Sequence, residues 1–350
     1  MMSMGGCCFP RGMPGLVCVA SIVLAQLFAG GARAEEPPRL EARRFAENPL
    51  LRPDMLPGRD GENINGPSVL RVPAWLRNPL GTYYLYFAHH SGAYIRLAYS
   101  DNLTGPWKIH GGGVLKLKEA AGCTGHIASP DVVADEEHHQ IRMYFHGPAK
   151  EGRGQQSFVA LADDGLNFKA SAEPLGSFYF RVIQWRGWWY AMSKGGQLYR
   201  SPDGLRNFEK GPNPLPGGET RKEPFNGPGP RHVALHLLGD VLWVYYSSIG
   251  DAPERVKRCR VELTDDWRGW KAGPEEEVLR PQTDYEGANL PLQKSNAGAA
   301  RGRENALRDP AIFMDTDGKV YLFYSVAGEV GIGGAQILGS TTEPAPRTTR

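Results

Sequence analysis

Cysteine is scarce in this 350-residue chain: there are five, and Cys7, Cys8 and Cys18 fall within the first 34 residues. Cys123 and Cys259 are left. Two cysteines are too few for a disulfide scaffold or a cysteine-built zinc site, and we read them as unpaired thiols. Charge of one sign is equally lacking, with 40 Lys and Arg against 38 Asp and Glu. Residues 1–34 contain Arg11 and Arg33 and no acid, so the remainder carries 38 of each sign. Such a balance leaves no basic footprint for nucleic acid or anionic lipid. Past residue 34 no apolar run approaches the roughly 20 residues of a membrane-spanning helix. Phosphate-binding loops, dinucleotide fingerprints, His-Glu-x-x-His, EF-hand loops and Gly-x-Ser-x-Gly are all absent. No metal is demanded by any ligand spacing, and no cofactor is expected.

The first 34 residues read as a secretory signal peptide. Arg11 precedes a short apolar stretch from Gly15 to Leu27, and Ala32-Arg33-Ala34 forms a small-x-small cleavage site. The expectation is a secreted or periplasmic protein, cleaved near Ala34.

Glycine and proline are abundant, at 44 and 28 residues, about a fifth of the chain. That excludes a helical bundle. The 8 Trp, 14 Tyr and 13 Phe supply a packed core. The residues recur in a pattern. Five segments open similarly: Gly66-Pro67-Ser68-Val69-Leu70, Ser129-Pro130-Asp131-Val132-Val133, Tyr179-Phe180-Arg181-Val182-Ile183, Gly229-Pro230-Arg231-His232-Val233 and Asp309-Pro310-Ala311-Ile312-Phe313. Each is followed by a β-branched and aromatic run such as Thr82–Phe87, Gln140–Phe145, Trp188–Met192, Val241–Tyr246 or Val320–Tyr324. Third strands follow, for example Tyr94–Tyr99 and Phe158–Leu161, while a fourth is poorly marked.

Repeated antiparallel units that cannot bury their own faces predict an all-β, five-bladed β-propeller. The expected organisation is a signal peptide over 1–34, an N-terminal extension over 35–60, the propeller over 61–338 and a loose tail over 339–350. An insertion is expected over about 268–307, where the spacing between unit starts widens. Innermost strands begin around one mouth of a central funnel, which gathers Ser68, Asp131, Arg181, Arg231, His232 and Asp309, with His126, Arg308, Tyr179 and His90 nearby.

His126-Ile127-Ala128-Ser129-Pro130-Asp131-Val132 resembles the second-blade motif of the five-bladed glycoside hydrolases of the furanosidase type, family 43 and its relatives. Leu307-Arg308-Asp309-Pro310-Ala311-Ile312-Phe313 is similar to their Asp-Pro strand start. The resemblance implies a base Asp on blade one, a pKa-adjusting Asp on blade two and an acid Glu on blade three. Asp131 matches the second of these. Gly66 stands at the first, and Phe178 to Arg181 offer no Glu for the third. Two other carboxylates are candidates for the vacant roles, Asp309 as general base and Glu286, in a Glu-Gly context, as general acid. His126, Arg181, Arg231, His232, Arg308, His90 and Tyr179 are expected to bind substrate, an oligo- or polysaccharide for which the arginines suggest an anionic group. Three alternatives stand beside hydrolysis: a non-catalytic carbohydrate-binding propeller, a phosphorylase or lyase on the same fold, and a scaffold for protein partners.

Overall fold

A computed structural model describes residues 40–339 apart from Glu151 and Arg153. The signal peptide and nearly all of the tail lie outside the described residues. Five antiparallel sheets form a five-bladed β-propeller. From the axis outward, blade one is built from Asn65–Arg71, Tyr83–Ala88, Tyr94–Ser100 and Lys108–Ile109. Blade two is built from Ala128–Asp135, Gln140–Pro148, Gln155–Ala162 and Lys169–Ala170. Blade three uses Arg181–Trp185, Trp188–Met192, Leu198–Ser201 and Glu209–Lys210. Blade four uses Gly229–Leu238, Val241–Ile249, Val256–Glu262 and Glu276–Leu279.

Blade five joins the two ends of the described chain. Its three inner strands are Arg308–Met314, Val320–Ser325 and Ile332–Leu338, and its outermost is Glu41–Arg44. Part of the 35–60 segment, Glu41–Arg44, thus closes the ring by pairing with Ile332–Leu338. The stretch expected as an insertion likewise contains the outer strand of blade four. Outer strands of two residues in blades one to three explain why the fourth strand left so little trace in the sequence.

Apolar residues dominate both faces of the second strands because both faces of each blade are covered. In blade one Tyr84 and Tyr86 face blade two, packing with Ile141, Met143 and Phe145. Leu85 and Phe87 face the other way, onto Phe323 and Ile332 of blade five. Blade four divides the same way: Val244 and Tyr246 pack with Tyr190 and Met192, and Tyr245 with Leu322 and Tyr324. Tyr144 joins Val182, Trp189 and Ala191 between blades two and three. One apolar cluster fills each of the five blade interfaces, with successive side chains going to opposite interfaces. Cys123 and Cys259 are buried free thiols.

The funnel-mouth cavity as candidate functional site

Four inner strands carry one extra residue near their start. Register jumps between Asn65 and Ser68, Ala128 and Asp131, Pro230 and Val233, and Arg308 and Ala311, two intervening residues opposing one each time. Such bulges bend a strand and re-aim its side chains. Gly66, Ser129 and Asp309 open three of them in the left-handed region, at φ of 59°, 48° and 48°. Tyr179, just before the blade-three strand, has φ of 74°. A non-glycine residue held there is strained, and such strain concentrates at functional sites. Position 66 admits no side chain: a Cβ there stands 3.0 Å from the Ser129 Cα.

Blade four departs from the sequence alignment. Gly229-Pro230 matches Gly66-Pro67 by residue type, yet the bulge falls two residues later, on Arg231-His232. His232 is therefore the counterpart of Pro67, Pro130 and Pro310, and Arg231 that of Asp309.

The bulges and the ends of the second strands surround a cavity of about 710 Å³, lined among others by His90, His146, Lys194, Arg231, His232 and Asp309. His232 Nδ1 donates to Asp309 Oδ1 in a short hydrogen bond. The imidazole stacks face to face on Tyr179, centroids 3.7 Å apart and planes 6° from parallel. Tyr179 Oη donates to Asp309 Oδ1 at 3.2 Å, and Ser325 Oγ to Oδ2 at 3.1 Å. Burial alone would raise the Asp309 carboxyl; His232, Arg231 and Arg308 outweigh it and hold it well below the usual range. Burial drives His232 down to about 4 against the pull of Asp309, with Arg231 and Lys194 adding to the fall. The pair is thus an ionised carboxylate and a neutral imidazole whose Nδ1 carries the proton, leaving the Nε2 lone pair as its basic atom.

His90 has the opposite environment. Its Nδ1 lies 3.4 Å from Glu329 Oε2. Burial works against its protonation, but the Glu329 carboxylate overrides this and the net shift is upward. Asn63 and Asn65 donate to the same carboxylate oxygen at 2.6 and 3.1 Å. Arg308 continues the network, reaching Glu329 at 3.4 Å, Glu254 at 2.9 Å and Glu304 at 2.5 Å. Glu254 in turn holds Arg231 at 2.8 Å and accepts from Ser247 at 2.7 Å.

The remaining expected site residues are dispersed. Asp131 lies beyond the bulge and lines a separate cavity of about 290 Å³ at the opposite end of the inner strands. It accepts from Arg181 Nη1 at 3.2 Å and from the Val182 amide at 2.8 Å, and burial pushes its carboxyl up. Arg181 plugs the axis, donating to the carbonyls of Pro67, Pro130 and Val233 on three other blades. Glu286 is away from the mouth altogether. Its fully buried carboxylate accepts from Arg44 at 2.8 and 2.9 Å, Tyr324 Oη at 2.9 Å and the Gln282 amide at 2.8 Å. It fastens the connection between blades four and five to the outermost and second strands of blade five. His126 stands behind the cavity wall, 3.2 Å from Gln155.

Lys194, His146 and Glu329 escaped the sequence reading. Lys194 follows the second strand of blade three as His90 follows that of blade one, and His146 pairs in register with Ala128. An antiparallel hairpin sets the end of its second strand beside the start of its first, so the reasoning that found His90 extends to both. Among the described residues no group of three or more His, Cys, Asp or Glu is placed to hold a metal ion.

The fold is that of solved family-43 glycoside hydrolases. A thermostable member superposes with a TM-score of 0.56 at 14% identity, over 82% of this chain and 97% of that one. A family-43 β-xylosidase/α-arabinofuranosidase from a compost metagenome, solved with xylotriose, gives 0.55 at 14% identity, over 86% and 96%. An α-L-arabinofuranosidase from Lactobacillus brevis gives 0.54 at 10% identity, over 87% and 98%. No family model matches the chain. An uncharacterized protein of Acanthamoeba polyphaga mimivirus is 39% identical over 319 residues, which cover 84% of this chain and 89% of its relative. The chain belongs to the family of that mimiviral protein, on the five-bladed scaffold that family-43 glycosidases share.

Proposed function

We propose that this chain is a glycosidase acting on an oligo- or polysaccharide in the mouth cavity, with histidine–carboxylate pairs as its acid and base. The observation that carries the reading is that the histidines of two such pairs, His232–Asp309 and His90–Glu329, line one cavity with pKa shifts of opposite direction. Groups pushed apart in this way are suited to opposite roles. His232 Nε2 takes a proton from water as the water oxygen attacks the anomeric carbon. The glycosidic C–O bond breaks, and the departing oxygen receives a proton from the His90 imidazolium. Asp309 and Glu329 orient the rings and stabilise their cationic forms, and Tyr179 holds the His232 plane. In this reading Asp131 and Glu286 are structural. The proposed place of action is outside the cytoplasm, on the strength of residues 1–34.

The test is product release from a panel of arabino- and xylo-oligosaccharides and uronate-containing oligosaccharides. His232→Ala and Asp309→Asn are expected to lose about 10²–10⁴-fold in rate, the usual worth of general acid–base catalysis. Undiminished turnover in both variants overturns the assignment. Binding without turnover in the unaltered protein selects the carbohydrate-binding alternative. Elimination is the second reading, favoured by a neutral histidine base with the Lys194 ammonium close enough to depress it. It removes a ring proton and the adjacent C–O bond without consuming water, and leaves an unsaturated, ultraviolet-absorbing product.

A further inference from the structure

The arginines that suggested an anionic substrate are already neutralised. Arg181 is held by Asp131 and three carbonyls. Arg231 is held by Glu254 and the carbonyls of Asn296 and Gly298, and Arg308 by Glu254, Glu304 and Glu329. Lys194 differs. It is 5% exposed and lines the mouth cavity. Among the described residues it forms no salt bridge. Its Nζ donates to Asn226 Oδ1 at 2.7 Å and lies 5.1 Å from the centroid of the Phe178 ring.

An ammonium has three hydrogens to donate, and one side-chain acceptor uses only one. A buried charge without a counter-ion is costly. Burial, with Arg231 and Arg221 nearby, lowers Lys194 to about 8, which still leaves it mostly protonated at pH 7. Because Asn226 accepts through Oδ1, its Nδ2 remains a neutral donor at the same place.

We propose that Lys194 and Asn226 form an anion subsite in the mouth cavity, and that the saccharide bound there is acidic, carrying a carboxylate or a sulfate. The substrate class rests on the reading of this cavity as a saccharide site; the anion subsite itself does not.

Titration calorimetry on the full chain at constant ionic strength tests both parts. The probes are galacturonate and glucuronate, their neutral counterparts galactose and glucose, glucose 6-sulfate, and inorganic sulfate. Acidic sugars are expected to bind at least about tenfold more tightly than neutral ones, the scale of a charge-assisted contact. Lys194→Met is expected to erase that preference and Lys194→Arg to restore part of it. Asn226→Asp, an exposed position, supplies Lys194 with an internal counter-ion and is expected to erase the preference without touching the lysine. It serves as the test if Lys194→Met does not fold.

Equal binding of acidic and neutral sugars overturns the proposal, as does a preference that survives both Lys194→Met and Asn226→Asp. In either case saccharide binding itself still stands. If inorganic sulfate binds and is lost in these variants while no sugar binds, the subsite stands and the saccharide reading falls. Absence of any anion binding overturns the subsite. The ratio of uronate to sulfated-sugar affinity identifies the group preferred.

Discussion

Two buried carboxylates, Asp309 on blade five and Glu286 in the connection that leads into it, sit in very different settings. Asp309, at the mouth, has a side chain 3% exposed, and Glu286, at the ring-closing seam, 0%. Each accepts several hydrogen bonds from a cation or ring and from a hydroxyl. Burial and hydrogen bonding therefore do not separate the site from the scaffold. Their partners do. Glu286 meets a guanidinium that grips both its oxygens, with a backbone amide and the Tyr324 hydroxyl completing the set. That arrangement consumes the carboxylate. Asp309 meets an imidazole, which can take up and release a proton on its other nitrogen. A carboxylate that orients a titratable ring facing a cavity has chemistry to offer, and one locked in a bidentate pair has mechanical strength.

The largest expected effect separates these roles directly. His232→Ala is expected to remove about 10²–10⁴-fold of the turnover, while Glu286→Ala leaves kcat/KM of the folded protein unchanged. Loss of activity in folded Glu286→Ala would break the comparison. The stability readout is expected to reverse: Glu286→Ala strands the Arg44 charge at the seam and costs up to about 3 kcal/mol, read as a lowered urea midpoint. Arg44→Met should lower the same midpoint, because both changes release the Glu41–Arg44 strand.

Asp131 sharpens the contrast at the axis. Asp131→Asn keeps an acceptor for the Val182 amide and removes the charge facing Arg181. The expected result is a loss of about 1–3 kcal/mol, the scale of a hydrogen bond to a charged group, with kcat altered less than tenfold. Abolished turnover with an intact fold would instead return Asp131 to the chemistry.

The smallest effect concerns pH. As the general acid, His90 must be protonated, so turnover is expected to fall as pH rises through its elevated pKa, above the ordinary 6.5. As the general base, His232 must be neutral, and its limb lies far lower, near 4. His90→Gln should remove the alkaline limb and leave the acid limb in place. The same shift is a stability term. A histidine whose folded pKa is raised contributes fully below its unfolded value and loses that contribution as pH rises through the folded one. His90 is 36% exposed, so the term is small. It is read as a slight difference in the pH dependence of the thermal midpoint between His90→Gln and the unaltered chain.

Much of the fold was legible in the residues. Second strands such as Tyr83–Ala88 read as unbroken apolar runs because successive side chains enter two different blade interfaces, both buried. The x-Pro starts of blades one, two and five marked the inner strands because the bulge behind them repeats. The closing strand, Glu41–Arg44, was not legible: a charged tetrapeptide has no strand signature until Ile332–Leu338 supplies its partner. Blade four misled for a local reason, since Gly229-Pro230 imitates the other starts while the bulge sits on Arg231-His232.

The residues alone determined five repeated units, their inner strands and the presence of His90, His232 and Asp309 near one end of the axis. Those follow from local pattern and from the geometry of a hairpin. Only the tertiary structure decided which ionisable groups meet. Glu286 and Asp131 carry the same carboxylate chemistry as Asp309, and Arg231 the same kind of charge as Lys194. What differs is the partner each one finds, which for Asp309 and Asp131 is on another blade and for Glu286 is more than 200 residues away. A neutralised charge serves the scaffold and an unneutralised one is free to bind. That pairing is fixed by the closing of the ring, because only then do residues from separate blades share one buried space.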